Sequence, residues 1–142
     1  MRIGVPKEIK TEEYRVGLIP ASVREFIHHG HEVVIETNAG AGIGYDDAAY
    51  QAVGARILDS AKQVFDAADM IIKVKEPQAV ECEMLRQDQL LFTYLHLAPD
   101  LPQTQGLIKS GCVAVAYETV TDRHNRLPLL APMSEVAGRM SV

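Results

Sequence analysis

At 142 residues the chain is about one domain long and large enough to bury a core without disulfide or metal staples. With 47% hydrophobic and 23% charged residues it is ordinary globular material, and a net charge of -5 with no Lys/Arg run leaves no electrostatic footprint for nucleic acid. No apolar run approaches the ~18 residues of a membrane span, and Arg2 is followed by Pro6, Lys7, Glu8 and Lys10 rather than by the apolar stretch of a secretory signal, so the expectation is a soluble cytoplasmic protein.

Arg2–Val5 is a short apolar run closed by Pro6, a first strand followed by a loop to about Tyr14. Pro20 fits the first turn of a helix in which Val23, Phe26 and Ile27 recur on one face until Gly30 stops it. His31–Thr37 is the second strand. The loop Asn38–Gly44 leads to an acidic helix start at Asp46 and Asp47, and that helix ends before Gly54. Ala55–Leu58 is a third strand, and Asp59 or Ser60 caps a helix running to about Ala67.

Met70–Val74 and Gln89–Tyr94 are the fourth and fifth strands, with a short helix near Cys82–Arg86 between them. Pro102 opens a helix that Gly111 ends, and Val113–Tyr117 is the sixth strand. Strands alternating with helices at this spacing predict an α/β fold, a doubly wound, mostly parallel sheet with helices on both faces. From Pro132 a last helical pattern begins, with Ser134 a candidate cap and Met133, Val136 and Met140 on one stripe. It stops at Val142 without a closing Gly, Asn or Pro, which reads as a chain cut inside a helix.

Two cysteines, Cys82 and Cys112, sit in no CxxC or Cys/His cluster of metal spacing, so reduced thiols and no metal are expected. The run Gly40-Ala-Gly42-Ile-Gly44-Tyr45 follows a strand and precedes a helix, as a dinucleotide fingerprint does. However, Tyr45 stands where the third glycine belongs, and Asp46 and Asp47 crowd the helix start where a pyrophosphate would sit. A plain glycine loop is the reading.

Chemistry points to the strand ends. Lys75 follows the fourth strand and His96 the fifth, so both leave a parallel sheet at its carboxyl edge, where open α/β sheets bind small ligands. Lys75 could instead pair with Glu76, and His96, between Leu95 and Leu97, could be a buried histidine bonded to backbone. Imidazole nevertheless titrates near neutrality and suits proton exchange. Arg15 lies just past the first strand; it could partner Glu12 or Glu13, or its fork could hold a carboxylate by two parallel bonds. His28, His29, His31 and His124 suit surface or structural roles, and Tyr94, Glu118 and Arg139 stay unassigned by spacing.

Five segments in order, MRIGVPKEIKTEEYRVGLIP, KVKEP at Lys73–Pro77, LLFTYLHLA at Leu90–Ala98, AYETV at Ala116–Val120 and LPLLAPMSEVAGRMSV at Leu127–Val142, resemble the amino-terminal part of alanine dehydrogenases. The broader group includes the nucleotide-binding subunit of nicotinamide nucleotide transhydrogenases. The resemblance implies a Rossmann-like substrate domain over 1–128, and in 129–142 the start of a helix leading to a cofactor domain absent from this chain. It implies reversible, NAD-dependent oxidative deamination of L-alanine to pyruvate and ammonia. Arg15 would clamp the substrate carboxylate, Lys75 bond the carbonyl oxygen or its amine counterpart, and His96 act as acid and base. Leu130 and Met133 would line the pocket, and Ser134 would touch the cofactor. A homohexamer is implied for the full-length enzyme, and the chain by itself is expected to be inactive. The competing readings are a transhydrogenase subunit, a saccharopine-type dehydrogenase with a weaker match, and a non-catalytic binding or assembly module.

Overall fold

A computed structural model describes residues 1–140; Ser141 and Val142, where the expected truncation of the last helix falls, lie outside the described residues. The strands are β1 (Arg2–Val5), β2 (Glu32–Glu36), β3 (Arg56–Leu58), β4 (Met70–Ile72), β5 (Leu90–Thr93) and β6 (Val113–Ala116). They form one sheet in the order β3-β2-β1-β4-β5-β6, and every neighbouring pair is parallel. The helices are α1 (Pro20–His28), α2 (Asp47–Gln51), α3 (Ala61–Ala67), α4 (Ala79–Cys82), α5 (Leu101–Ser110) and α6 (Ala131–Met140).

Side chains alternate across a strand, so a sheet covered on both faces needs two cores. Along β2, Val33 and Ile35 join Ile3, Val5, Val23 and Tyr50 in one cluster, while Val34 joins Val64, Phe65, Ile71 and Leu91 in the other. The doubly wound expectation therefore holds. Gly4 marks a close crossing: a Cβ there would lie 2.7 Å from the Cβ of Ala68, so only glycine lets the end of α3 rest on β1. Helix caps follow local chemistry. Asp46, Ser60 and Asp100 accept the backbone N–H groups of Ala49, Gln63 and Gln103, and Gly111, at φ 68°, closes α5.

Several boundaries differ from the sequence reading, three of them for reasons visible in the bonding. β4 ends at Ile72 rather than Val74, because the N–H of Val74 goes to Glu8 Oε1 at 2.7 Å instead of to a neighbouring strand. The short helix starts at Ala79, where Glu81 reaches back to the Gln78 N–H at 2.8 Å. The last helix begins at Ala131, so Ser134 lies within its first turns and its N–H is bonded to the Leu130 carbonyl rather than capped by its own side chain. No helix among the described residues is long and apolar enough to cross a membrane.

Candidate active site

Strand order reverses between β1 and β4, and the carboxyl ends of those strands open a crevice of the kind that binds ligands in such sheets. At this edge lies a hollow of about 460 Å³. Arg15 and Gly17 form one side, Phe92, Tyr94 and Tyr117 form an aromatic wall, and Leu129 and Met133 close it from the segment of α6. The aromatic wall is rigid: Tyr117 meets the rings of Phe92 and Tyr94 edge-on at centroid distances of 4.2 and 4.9 Å. Tyr94 also donates its hydroxyl to the Leu129 carbonyl, tying β5 to the approach to α6. A larger hollow of about 710 Å³ between α4 and α5 is lined by none of the three strand-end candidates, so size alone does not locate the chemistry.

Two glycines place Arg15. A Cβ on Gly17 would stand 2.5 Å from the Ile72 carbonyl oxygen, and one on Gly42 would stand 2.7 Å from that of Tyr14. The segment Tyr14–Gly17 is thus pressed between the end of β4 and the glycine loop, closer than any side chain allows. That is the function of the loop seen here. It seats no pyrophosphate: Asp46 already occupies the start of α2, and Asp47 accepts the Thr37 hydroxyl at 2.6 Å and the Asn38 N–H at 2.8 Å. The residues present do not fit NAD at this position.

Arg15 is held by Glu13. Its Nε donates to Glu13 Oε1 at 2.9 Å and its Nη2 to Oε2 at 2.6 Å, while Nη1 lies 3.8 Å from the sulfur of Met133. The guanidinium keeps the Glu13 carboxyl below the usual carboxylate range, and Lys75 adds to the same effect. Pairing with Glu13 and facing the hollow were opposed readings of Arg15 in the sequence; the fork does both, one edge to each.

Lys75, half-buried, stands three residues past β4, its carbonyl accepting the Thr93 hydroxyl at 2.8 Å. The sequence offered Glu76 as its partner, but Glu76 pairs with Lys10. Burial alone would push the Glu76 carboxyl up, yet the Lys10 ammonium holds it low. Among the described residues no carboxylate comes within 4.0 Å of the Lys75 ammonium. Lys73 is among the residues lining the hollow, and its buried ammonium sits 3.2 Å from Glu8 and 2.6 Å from Glu81. Burial raises the Glu8 carboxyl above its ordinary value, opposed by the Lys73 charge.

His96 is exposed, not buried as its apolar neighbours allowed, and its backbone takes φ 50°. A non-glycine residue there is uncommon and needs something to hold it. The constraint is Glu118, whose carboxylate accepts the N–H groups of Leu95 at 3.1 Å and His96 at 2.7 Å. The structure thus brings Arg15 and Met133 to the hollow and puts Lys75 in the charge field of Glu13. Lys75, His96, Leu130 and Ser134 are not among the residues that line it. Leu130 accepts the N–H groups of Met133 and Ser134, and Ser134 is exposed on α6. Sequence spacing left Glu118 unassigned. Its position directly after a strand, in AYETV, was the available signal.

Comparison with known proteins decides the family. A family profile described as the alanine dehydrogenase/PNT N-terminal domain matches residues 4–137. The chain belongs to the alanine dehydrogenase/PNT N-terminal domain family. Within it, the alanine dehydrogenase of Halomonas elongata is 52% identical over 142 residues, all of this chain and 38% of that protein. That of Mycobacterium tuberculosis is 50% identical over 141 residues, 99% of this chain and 38% of that protein. A solved L-alanine dehydrogenase superposes with a TM-score of 0.95 at 52% identity, covering the whole chain and 39% of its own. A transhydrogenase from Sinorhizobium meliloti superposes with a TM-score of 0.80 at 27% identity over 87% of the chain. This family member therefore spans about 38% of the length of the curated relatives it matches.

Proposed function

We propose that this chain supplies the substrate side of an L-alanine dehydrogenase, binding a 2-oxo or 2-amino acid for NAD-dependent interconversion of L-alanine with pyruvate and ammonia. The observation that carries this reading is the Arg15 fork: one edge is taken by Glu13, and Nη1 reaches Met133, which lines the hollow with Arg15 at the strand-order switch. A guanidinium so fixed suits a substrate carboxylate, since little of its freedom remains to be lost on binding. Lys75 is suited to donate to the 2-oxygen and to stabilise charge gathering there, and His96 to give and take the proton. Leu130 and Met133 would limit the side chain that fits, and Ser134 would meet the cofactor.

The oxidant would be NAD, which accepts a hydride when bound. The glycine loop offers it no seat, so the roles assigned to this chain stop at binding, orientation and proton transfer. We place the boundary between the substrate domain and the helix leading onward at residues 128 and 129, and a cytoplasmic homohexamer is the assembly we propose for the whole enzyme. The dehydrogenase reading is favoured over the transhydrogenase one by identities of 52% against 27%.

The test is a pyruvate titration of the 142-residue protein followed by NMR at the Arg15 Nε–H and the His96 ring. Saturable shifts of both are expected. A folded spectrum with neither signal moving at millimolar pyruvate would sink the proposal.

A further inference from the structure

The cation that lines the hollow is held from behind by an anion, Glu13. Its side chain is 6% exposed against 41% for Arg15, so the carboxylate is the fixed partner and the guanidinium the one that reaches outward. Both oxygens are engaged: Oε1 accepts the backbone N–H of Arg15 at 2.8 Å and its Nε at 2.9 Å, and Oε2 accepts Nη2 at 2.6 Å. Lys75 acts on the same carboxylate from the end of β4.

Of these three charges Arg15 lines the hollow, and Glu13 offsets it from behind. Neighbouring charges are engaged elsewhere: Glu118 accepts the Leu95 and His96 N–H groups. Lys10 and Glu76 pair with one another, and the Lys73 ammonium is enclosed between Glu8 and Glu81, where burial drives Glu8 towards its neutral form. Volume is not what selects the ligand, because about 460 Å³ is ample for a three-carbon acid and falls in the range that takes much larger molecules.

We infer that Glu13 sets ligand charge: it is a positioning residue that aims Arg15 and a specificity-determining one that admits monocarboxylate 2-oxo acids and repels dicarboxylates. The inference rests on the reading of this hollow as a 2-oxo acid site. A second carboxylate on the ligand would add to the negative charge that Glu13 already places behind Arg15, a repulsive element of the kind by which sites reject near relatives of their ligand.

The experiment measures pyruvate and freshly dissolved oxaloacetate binding to the protein and to its Glu13→Gln and Glu13→Asp variants by calorimetry. Like charges juxtaposed at a binding site are costly, so the unsubstituted protein should prefer pyruvate by about tenfold or more. Glu13→Gln should erase most of that preference, with oxaloacetate gaining. Glu13→Asp keeps the charge on a shorter arm; it should weaken both ligands through a misaimed Arg15 while retaining the preference. A protein that ignores pyruvate altogether would remove the site reading and this inference with it. Normal pyruvate binding with an unchanged ratio in Glu13→Gln would overturn the inference alone. Should the Gln variant not fold, a lost preference in Glu13→Asp would do the same.

Discussion

Glu118 holds His96 by its backbone, not by its ring: the carboxylate accepts the His96 N–H at 2.7 Å and so pins a left-handed residue at the carboxyl edge of β5. The imidazole is left exposed, free to meet a ligand. Replacing Glu118 with Ala would strand two N–H groups, those of Leu95 and His96. Losing charge-assisted bonds of this kind should cost about 1.5–3 kcal/mol in urea unfolding. The His96 amide should also lose hydrogen-exchange protection while amides in β1 keep theirs. Uniform loss across the sheet would contradict a local clamp.

The buried Glu8–Lys73–Glu81 group predicts an unusual pH response. Lys73→Met leaves two carboxylates buried without a cation and should cost about 3–5 kcal/mol near neutrality. Because burial raises the folded Glu8 value above its ordinary 4.5, its contribution is present below that value and is lost as pH rises through the folded one. The variant should therefore regain part of its deficit on acidification. Glu13 and Glu76, both held low, contribute in the opposite sense: their stabilisation is present above 4.5 and lost as pH falls through their folded values. Urea midpoints from pH 7 to pH 5 should narrow the gap between variant and parent. A gap that stays constant would count against the buried-charge account.

Gly17 couples packing to the site. Gly17→Ala would drive a methyl to 2.5 Å from the Ile72 carbonyl oxygen, a backbone atom that cannot rotate aside. Overpacking of this sort should cost about 1–3 kcal/mol. Since Arg15 lies two residues earlier on the same pressed segment, pyruvate affinity should fall in the folded variant as well. Unchanged affinity with lowered stability would show that the segment moves without carrying the fork.

The two thiols should behave differently. Both are free, Cys82 buried and Cys112 half-buried. Burial pushes the Cys82 thiol up to about 11, so little thiolate exists at pH 8. Ellman's reagent should label one thiol per chain promptly and the second only in denaturant, with peptide mapping placing the first at Cys112. Prompt labelling of Cys82 would mean that α4 opens readily.

Local chemistry in the sequence was enough for the elements and the fold class. Apolar runs of strand length, the acidic helix start at Asp46 and Asp47, a cap at Asp59 or Ser60, and Gly30 and Gly111 as stops each act within a few residues, so reading along the chain finds them. The alternation of strand and helix then leaves a doubly wound sheet as the simplest packing, and the position of Lys75 and His96 past their strands implied one shared edge. What the tertiary structure alone decided was the pairing of charges. Glu8 meets Lys73 across 65 positions and Lys10 meets Glu76 across 66, because β1 and β4 lie side by side only once the crossovers have been made. Spacing offered Glu76 to Lys75, but the fold gave Glu76 to Lys10 and put Lys75 in the field of Glu13. Electrostatic partners depend on distance in space, and in a parallel sheet that distance is set by strand order rather than by sequence separation.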